Sequence, residues 1–137
     1  MIYALDTNIV SYMLQDNEKI NKQTDLLTKN GHALIIPAIV DYEIRRGLLA
    51  KNYLKKLRKF EQLQQVIRIG EFDLPVWRKA AEIYANLSKQ GKSIGTNFDG
   101  DVFIAAYCVI NGCILITNNK DHFGRIDGLL FENWSFV

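Results

Sequence analysis

The segment Ile2-Tyr3-Ala4-Leu5-Asp6-Thr7-Asn8-Ile9 decides the fold class. Its first four residues form an apolar run of strand length that ends on an acid, and a helix is expected from about Thr7. In proteins with parallel strands, ligands bind at the carboxyl ends of the strands. Asp6 is therefore expected at a position where a site can form.

The rest of the chain continues this alternation of strands and helices. Asn30-Gly31 and Asn111-Gly112 are turn signals, and Asp73 with Pro75 is typical of a helix start. Further strands are predicted at 33–36, 66–69 and 113–116, with an edge strand around 129–131 and a loop at 92–100. The remaining helices are predicted at 20–29, from Pro37, in the basic stretch that follows, from Asp73, and at 102–110. This order predicts a mainly parallel sheet covered on both faces.

Size and composition are those of one domain over residues 1–137. The chain has 137 residues, of which 48% are hydrophobic, enough for one buried core. No run approaches the roughly 20 apolar residues of a membrane-spanning helix, and the start reaches Asp6 too soon for a signal peptide. We expect a cytoplasmic protein without a membrane partner. Cys108 and Cys113 are expected to be buried free thiols, and neither a disulfide nor a zinc site is expected.

Four acids are candidate catalytic and metal-binding residues. Asp6 follows an apolar strand, Glu43 lies in an otherwise apolar helix, and Asp99 and Asp101 flank Gly100 before a predicted helix. Phosphodiester cleavage with a divalent metal needs carboxylates from distant parts of the chain, because Mg²⁺ takes oxygen ligands. Structural explanations stand beside this one. Asp6 and Asp101 could cap helices, and Glu43 could be an exposed helix residue.

A basic stretch indicates an anionic partner, although the net charge of the chain is only +2. Between Arg45 and Arg68, the only acid is Glu61. The candidates for contact with RNA phosphates are Arg45, Arg46, Lys55, Arg58 and Lys59. The last three fall on one face of an amphipathic helix, so an ordinary solvated helix face is the alternative.

Five blocks of sequence resemble those of the PIN-domain family, in its VapC-type toxin branch. They occur in the family's order and run nearly end to end: Leu5-Asp6-Thr7-Asn8-Ile9, Tyr42-Glu43-Ile44-Arg45-Arg46-Gly47, Asp101-Val102-Phe103-Ile104-Ala105-Ala106, Leu115-Ile116-Thr117-Asn118-Asn119, and Asp127-Gly128-Leu129 to Trp134. The resemblance implies a three-layer α/β/α fold and an endoribonuclease that depends on Mg²⁺ or Mn²⁺. It also implies that Asp6, Glu43 and Asp101 are the first three acids of its site.

Two positions depart from the family pattern. The approach to Asp101 is longer than usual, so Asp99 stays open as a supporting ligand or as a substitute for Asp101. Asn119 stands where many members have a fourth aspartate, and an amide can position water but supplies no charge. Whether a second metal is held therefore stays open. Thr7, Asn8 and Thr117 match polar positions that line the family's acidic site.

The resemblance also implies partners. It implies an RNA substrate such as transfer RNA, notably initiator tRNA, or ribosomal RNA. It further implies a homodimer and a VapB-type antitoxin, with operator DNA bound only through that antitoxin. A partner's guanidinium can replace metal among carboxylates. Apolar contact surface is expected at Tyr12, Met13, Leu14, Ile39, Val40 and Tyr42, with core packing as the alternative.

Other classes fit less well. A haloacid-dehalogenase-type phosphatase needs a second aspartate where Asn8 stands, and a receiver-like domain has no role for the acids before Val102. The main alternative is a catalytically weak PIN-fold module that binds nucleic acid or serves assembly. His32 is interpreted as a surface residue. His122 is interpreted as a residue of the loop after strand four, with RNA contact as the alternative.

Overall fold

Strands and helices alternate in the computed structural model, which describes residues 1–91 and 99–135. The strands are β1 (Ile2–Leu5), β2 (Ala33–Pro37), β3 (Arg68–Gly70), β4 (Ile114–Thr117) and β5 (Phe131–Asn133). The helices are α1 (Thr7–Leu14), α2 (Glu18–Lys29), α3 (Ala38–Ala50), α4 (Leu54–Leu63), α5 (Leu74–Lys89), α6 (Asp99–Asn111) and α7 (Lys120–Phe123). The predicted α/β class is confirmed.

The sheet has the order β3-β2-β1-β4-β5, and all four strand pairs are parallel. Leu5 at the end of β1 pairs with Ile116 of β4, and the backbone N–H of Asp6 donates to the carbonyl of Ile116 at 3.0 Å. From β1 the chain moves outward to β2 and β3, and then crosses to β4 on the other side. Such a reversal opens a crevice at the carboxyl ends of the two strands that flank it, here β1 and β4.

The helices form two groups. Helix α1 packs against α2, α3 and α4, while α5 packs against α6. Parallel crossovers are right-handed, so connections that run in opposite directions along a sheet place their helices on opposite faces. The buried faces of both groups close one core with the central strands, where Ala4, Leu5, Leu115 and Ile116 are fully buried.

Several boundaries differ from the predictions. Strand β3 begins at Arg68 rather than Val66, because the chain is still turning out of α4 there and Val66 donates its N–H to the carbonyl of Leu63. Strand β5 lies two residues later than predicted, and the single-turn helix α7 was not predicted. Leu54, the first residue of α4, is 48% exposed although it is apolar.

The predicted loop before the third acid needs correction at its end. Asp99 and Gly100 already belong to α6, so the capping interpretation of Asp101 was wrong. Residues 92–98 of that loop lie outside the described residues. Cys108 and Cys113 are buried free thiols, as predicted, and burial raises the pKa of both. No helix among residues 1–91 and 99–135 is long and apolar enough to cross a membrane.

Candidate active site

Asp6 lies at the carboxyl end of β1, and its carboxylate is 4% exposed. One oxygen accepts the backbone N–H of Thr7 at 2.7 Å, which caps α1. The other oxygen accepts the hydroxyl of Thr117 at 2.7 Å, from the end of β4. The capping interpretation of Asp6 is therefore correct, and the same bonds fix its carboxylate in the crevice between β1 and β4.

Glu43 comes from α3, and it is half-buried rather than exposed. Its Oε1 accepts the hydroxyl of Thr7 at 3.2 Å. The backbone of α6 approaches Glu43 closely at Gly100, where an added Cβ would lie 3.1 Å from Oε1. Glycine at this position lets α6 carry its acids up to α3.

Asp101 lies in the first turn of α6, and its Oδ2 is 2.7 Å from Nδ1 of His122. The same Nδ1 is 2.8 Å from the side-chain amide of Asn119. An ionised Asp101 requires a proton on Nδ1, and that nitrogen then cannot also accept a hydrogen bond. Asn119 must in that state present its amide oxygen to the ring. The backbone N–H of Asn119 donates to Thr117, which ties this group to Asp6.

Burial raises the pKa values of all three carboxylates, and repulsion from Asp101 adds to the rise at Asp6 and at Glu43. Burial raises the pKa of Asp6 to about 6, against the lowering effect of the Thr117 hydrogen bond, and the charges of Asp101 and Glu43 add to the rise. Burial also raises the pKa of Glu43, which Thr7 and Arg46 lower in part. Burial raises the pKa of Asp101 as well, and His122 opposes that rise. Mutual repulsion of this kind is what a bound cation relieves.

The fourth candidate acid lies elsewhere. Asp99 is exposed and faces a shallow depression that it shares with Trp77 and Tyr84 of α5. Asp6, Glu43 and Asp101 are the acids that the fold brings together, while Asp99 turns toward the neighbouring helix. A helix rotates by about 200° over two residues, so Asp99 and Asp101 project in nearly opposite directions.

Three of the polar candidates contact residues of the acidic site, and the fourth contacts the loop after β4. Thr7 contacts Glu43, Thr117 contacts Asp6, and Asn119 contacts His122. The amide of Asn8 instead donates to Asn118 at 3.1 Å. Asn118 in turn donates to the hydroxyl of Tyr12, which links the first turns of α1 to the loop after β4.

The donor set suits a hard divalent cation, although it is not closed around one. Among residues 1–91 and 99–135, no group of three or more acids, histidines or cysteines is gathered closely enough to hold a metal by itself. Mg²⁺ commonly keeps several waters and binds through one or two carboxylates. Asp6, Glu43 and Asp101 therefore fit a hydrated ion, held partly through water.

The basic candidates differ in whether they are already paired with an acid. Arg45 is bound to Asp41 and Glu61, each at 3.2 Å, and Lys59 bonds Asp16 and the carbonyl of Leu14. Arg46 lies over the ring of Tyr42, 5.1 Å from its centroid, and its charge reaches Glu43. Lys55 and Arg58 are exposed on α4. Arg46, Lys55 and Arg58 are thus the candidates best able to meet an external anion.

Two residues that form hydrogen bonds around the site were not singled out from the sequence as site residues. His122 was interpreted as a loop residue, and Asn118 appeared only within a sequence block. The available signal for His122 was its position three residues after Asn119, because residues three apart share a face if the segment forms a helical turn. Helix α7 supplies that turn.

Comparisons with known proteins match this chain over nearly its whole length. Residues 3–129 match the family model of the PIN domain. "Ribonuclease VapC2" of Rickettsia felis is 31% identical over 136 residues, which cover 98% of this chain and 98% of the relative. The "tRNA(fMet)-specific endonuclease VapC" of Shigella flexneri is 26% identical over 134 residues, which cover 97% of this chain and 98% of the relative.

A solved structure has the same architecture over nearly its full length. It is the crystal structure of VapBC2 from Rickettsia felis bound to a DNA fragment from their promoter. One of its chains superimposes with a TM-score of 0.88 at 29% identity, covering 98% of this chain and 99% of that chain.

Proposed function

The chain belongs to the PIN-domain family, in its VapC branch, and from this premise we propose that it is a divalent-metal-dependent endoribonuclease that acts as the toxin of a toxin–antitoxin pair. One observation carries the proposal. Asp6 follows β1, Glu43 lies in α3 and Asp101 lies in α6, and they meet at the carboxyl edge of the sheet, where Asp101 raises the pKa of both Asp6 and Glu43. A binding module without catalysis has no need for three repelling, partly buried carboxylates.

We assign different roles to the acids and to the polar residues of the site. Asp6, Glu43 and Asp101 hold Mg²⁺ or Mn²⁺, directly or through water. The ion would supply activation of water and neutralisation of the phosphate charge. Thr7 and Thr117 fix the orientations of Glu43 and Asp6 through the hydrogen bonds that they donate. Asn119 brings no negative charge, so we expect one firmly held metal ion.

The substrate that we propose is structured RNA, with transfer RNA, including initiator tRNA, as the first candidate. The Shigella flexneri relative, which is named for cleavage of tRNA(fMet), supports this choice. Acids alone would repel an RNA backbone, so cations near the site must attract it. Arg46, Lys55 and Arg58 serve that purpose, while Arg45 and Lys59 contribute less because of their internal ion pairs.

A VapB-type antitoxin is the proposed partner. The Rickettsia felis VapBC2 structure with promoter DNA supports it, and operator DNA would be bound through the antitoxin. An arginine of the partner can occupy the acids in place of metal. The apolar surface expected for this contact is smaller than predicted, because Met13, Leu14 and Val40 are buried in the core, whereas Tyr42 is 55% exposed.

We further propose that the chain forms a homodimer. The outer surface of α5 and α6 carries Trp77 and Tyr84, each 44% exposed, and the Trp77 ring contacts Phe103 with centroids 5.2 Å apart. Exposed aromatic clusters of this kind are typical of protein interfaces. Light scattering of the wild-type protein and of Trp77→Ala tests this surface.

Cleavage of total transfer RNA by the purified chain tests the enzymatic proposal. We expect cleavage with Mg²⁺ or Mn²⁺, its loss with EDTA, and its recovery when metal is restored. Asp101→Asn, purified in parallel, controls for contaminating nucleases. EDTA-resistant cleavage contradicts the mechanism, and RNA binding without cleavage supports the catalytically weak binding module instead. Sequencing the new RNA ends identifies the target.

Expression in cells tests the toxin role separately. We expect wild-type expression to arrest growth and Asp101→Asn to be harmless. Co-expression of an adjacent small reading frame is expected to restore growth and to yield a complex that co-purifies. Harmless expression of an active nuclease would remove the toxin assignment but leave the nuclease.

A further inference from the structure

A groove leads from Glu43, one of the three acids, to the turn between α3 and α4. Its near end is lined by Thr7 and Glu43, and its far end by Lys51, Tyr53 and Lys56. The floor consists of small or apolar residues of α1 and α3, and the groove holds about 220 Å³. Its charge therefore changes along its length, from the carboxylate of Glu43 to two ammonium groups.

The α3–α4 turn holds Tyr53 at the far end of the groove. Asn52 has a φ of 57°, the left-handed conformation that asparagine tolerates better than most residues. The next backbone N–H, that of Tyr53, then donates to the carbonyl of Leu48 at 2.9 Å. The backbone of Tyr53 is thus fixed, while its side chain stays 48% exposed.

Two cations accompany this ring. The Nζ atoms of Lys51 and Lys56 lie 5.9 Å and 5.5 Å from the centroid of Tyr53. Within residues 1–91 and 99–135, neither ammonium pairs with a carboxylate, in contrast to Lys59 with Asp16. Both lysines are exposed, and their flexible side chains can move from the ring to an anion without breaking an ion pair.

An exposed aromatic ring between two free ammonium groups matches the chemistry of a nucleotide. Unpaired bases stack on aromatic side chains, and lysines neutralise the phosphates on either side. Lys51, the residue that ends α3, follows Glu43 by eight positions, a rise of about 12 Å along the helix axis. A strand cut at the acids can therefore reach Tyr53 with a nucleotide a short distance from the scissile bond.

We propose that Lys51, Tyr53 and Lys56 form a subsite for an unpaired nucleotide of the RNA strand, joined to the acids by this groove. The inference rests on the proposed ribonuclease function and deepens it. Tyr53 stacks on the base, and the two lysines bind the adjacent phosphates. The subsite selects RNA that is single-stranded next to the cleavage position, such as a loop.

Binding of a labelled single-stranded RNA of about twelve nucleotides tests the subsite. Fluorescence anisotropy in EDTA keeps the RNA intact and measures Kd for the full chain. Tyr53→Ala is expected to weaken binding about five- to a hundred-fold, as for loss of one stacked base. Tyr53→Phe keeps the ring and is expected to bind like the wild type. Leu26→Ala removes an exposed apolar side chain of α2 that lines neither the groove nor the α5–α6 surface, and it is the control.

The salt dependence of Kd tests the lysines. Lys51→Ala with Lys56→Ala is expected to reduce the slope of log Kd against log salt by about 1.4, the value for two lost phosphate contacts on a single strand. Lys22→Ala with Lys29→Ala removes two exposed lysines of α2 and should leave the slope unchanged.

Cleavage kinetics with Mg²⁺ test Tyr53 independently. Tyr53→Ala should show a raised KM with little change in kcat.

The results that would contradict the subsite differ from those that would contradict the nuclease. If the wild type cleaves RNA and Tyr53→Ala has an unchanged Kd and KM, the subsite is overturned and the nuclease is left intact. Loss of binding to a protein partner in Tyr53→Ala would not change that conclusion. Equal losses in Tyr53→Ala and Leu26→Ala also overturn the subsite. A wild-type protein that binds this RNA through Tyr53 but never cleaves RNA refutes the proposed function alone. A wild-type protein that does not bind this RNA but cleaves transfer RNA overturns the subsite and leaves the nuclease intact.

Discussion

The imidazole of His122 holds the carboxylate of Asp101, with 2.7 Å between Nδ1 and Oδ2. A carboxylate that binds metal is usually oriented by such a second hydrogen bond, and loss of the partner typically costs about 10- to 100-fold in activity or metal affinity. We expect His122→Ala to lower RNA cleavage by that amount and to raise the Mg²⁺ concentration that gives half-maximal activity.

His32→Ala is the matched control for His122→Ala. His32 lies just before β2 at the opposite end of the sheet, where its ring contacts Tyr3. Its replacement should leave the Mg²⁺ dependence unchanged. If His122→Ala shows the wild-type Mg²⁺ dependence with equal activity, His122 does not position Asp101.

Asp99 and Asp101 are distinguished by their directions from α6. Asp101→Asn is expected to abolish metal-dependent cleavage, because it removes a charge that acts on both Asp6 and Glu43. Asp99→Asn should retain most of the activity, since Asp99 is exposed beside α5. Cleavage rates of the two variants at saturating Mg²⁺ decide the matter. A greater loss for Asp99→Asn would make Asp99 the third acid.

The exposed cations of α4 should govern the salt dependence of RNA binding. Lys55→Ala with Arg58→Ala is expected to reduce the slope of log Kd against log salt by about 1.4 to 1.8. Lys59→Ala alone should change it little, because Lys59 is already bound to Asp16. An unchanged slope in the double variant would show that this face of α4 is merely solvated.

Sequence reasoning located Asp6 because an apolar strand that ends on an acid places that acid by rule at the edge of a parallel sheet. Thr117 followed by the same rule. Glu43 was picked out because it stands between Tyr42 and Ile44, although α3 also carries Asp41, Arg45 and Arg46. For these residues, the local pattern indicated the position, and the resemblance to the PIN-domain family indicated the role.

Other features depend on packing that no local pattern contains. The directions of Asp99 and Asp101 could not be compared, because the helix was predicted to begin after both. His122 reaches Asp101 only through α7, a single turn anchored by the fully buried Phe123. Lys59 looked like a free cation, yet its partner Asp16 lies 43 residues away in the sequence.

Asp6 should destabilise the metal-free fold at neutral pH. Its pKa rises from 3.8 to about 6 on folding, so the native state binds the proton more tightly than the unfolded chain does. Stability then falls as the pH rises from about 4 to about 6 and stays reduced above that. The shift of about two pKa units corresponds to on the order of 2–3 kcal/mol.

Asp6→Asn removes this effect while it keeps the volume of the side chain. An amide can still accept from Thr7 and can donate to the hydroxyl of Thr117, which has lone pairs for that donor and for Asn119. In EDTA we expect Asp6→Asn to unfold at a higher urea concentration than the wild type at pH 7.5, and at a similar one at pH 4. Activity should be lost, because the charge that directs the metal is gone. Millimolar Mg²⁺ should stabilise only the wild type, since a ligand stabilises the state that binds it. A variant that is equally or less stable than the wild type at pH 7.5 would contradict the destabilising charge of Asp6. A variant that gains as much stability from Mg²⁺ as the wild type does would contradict the role of Asp6 as a metal ligand.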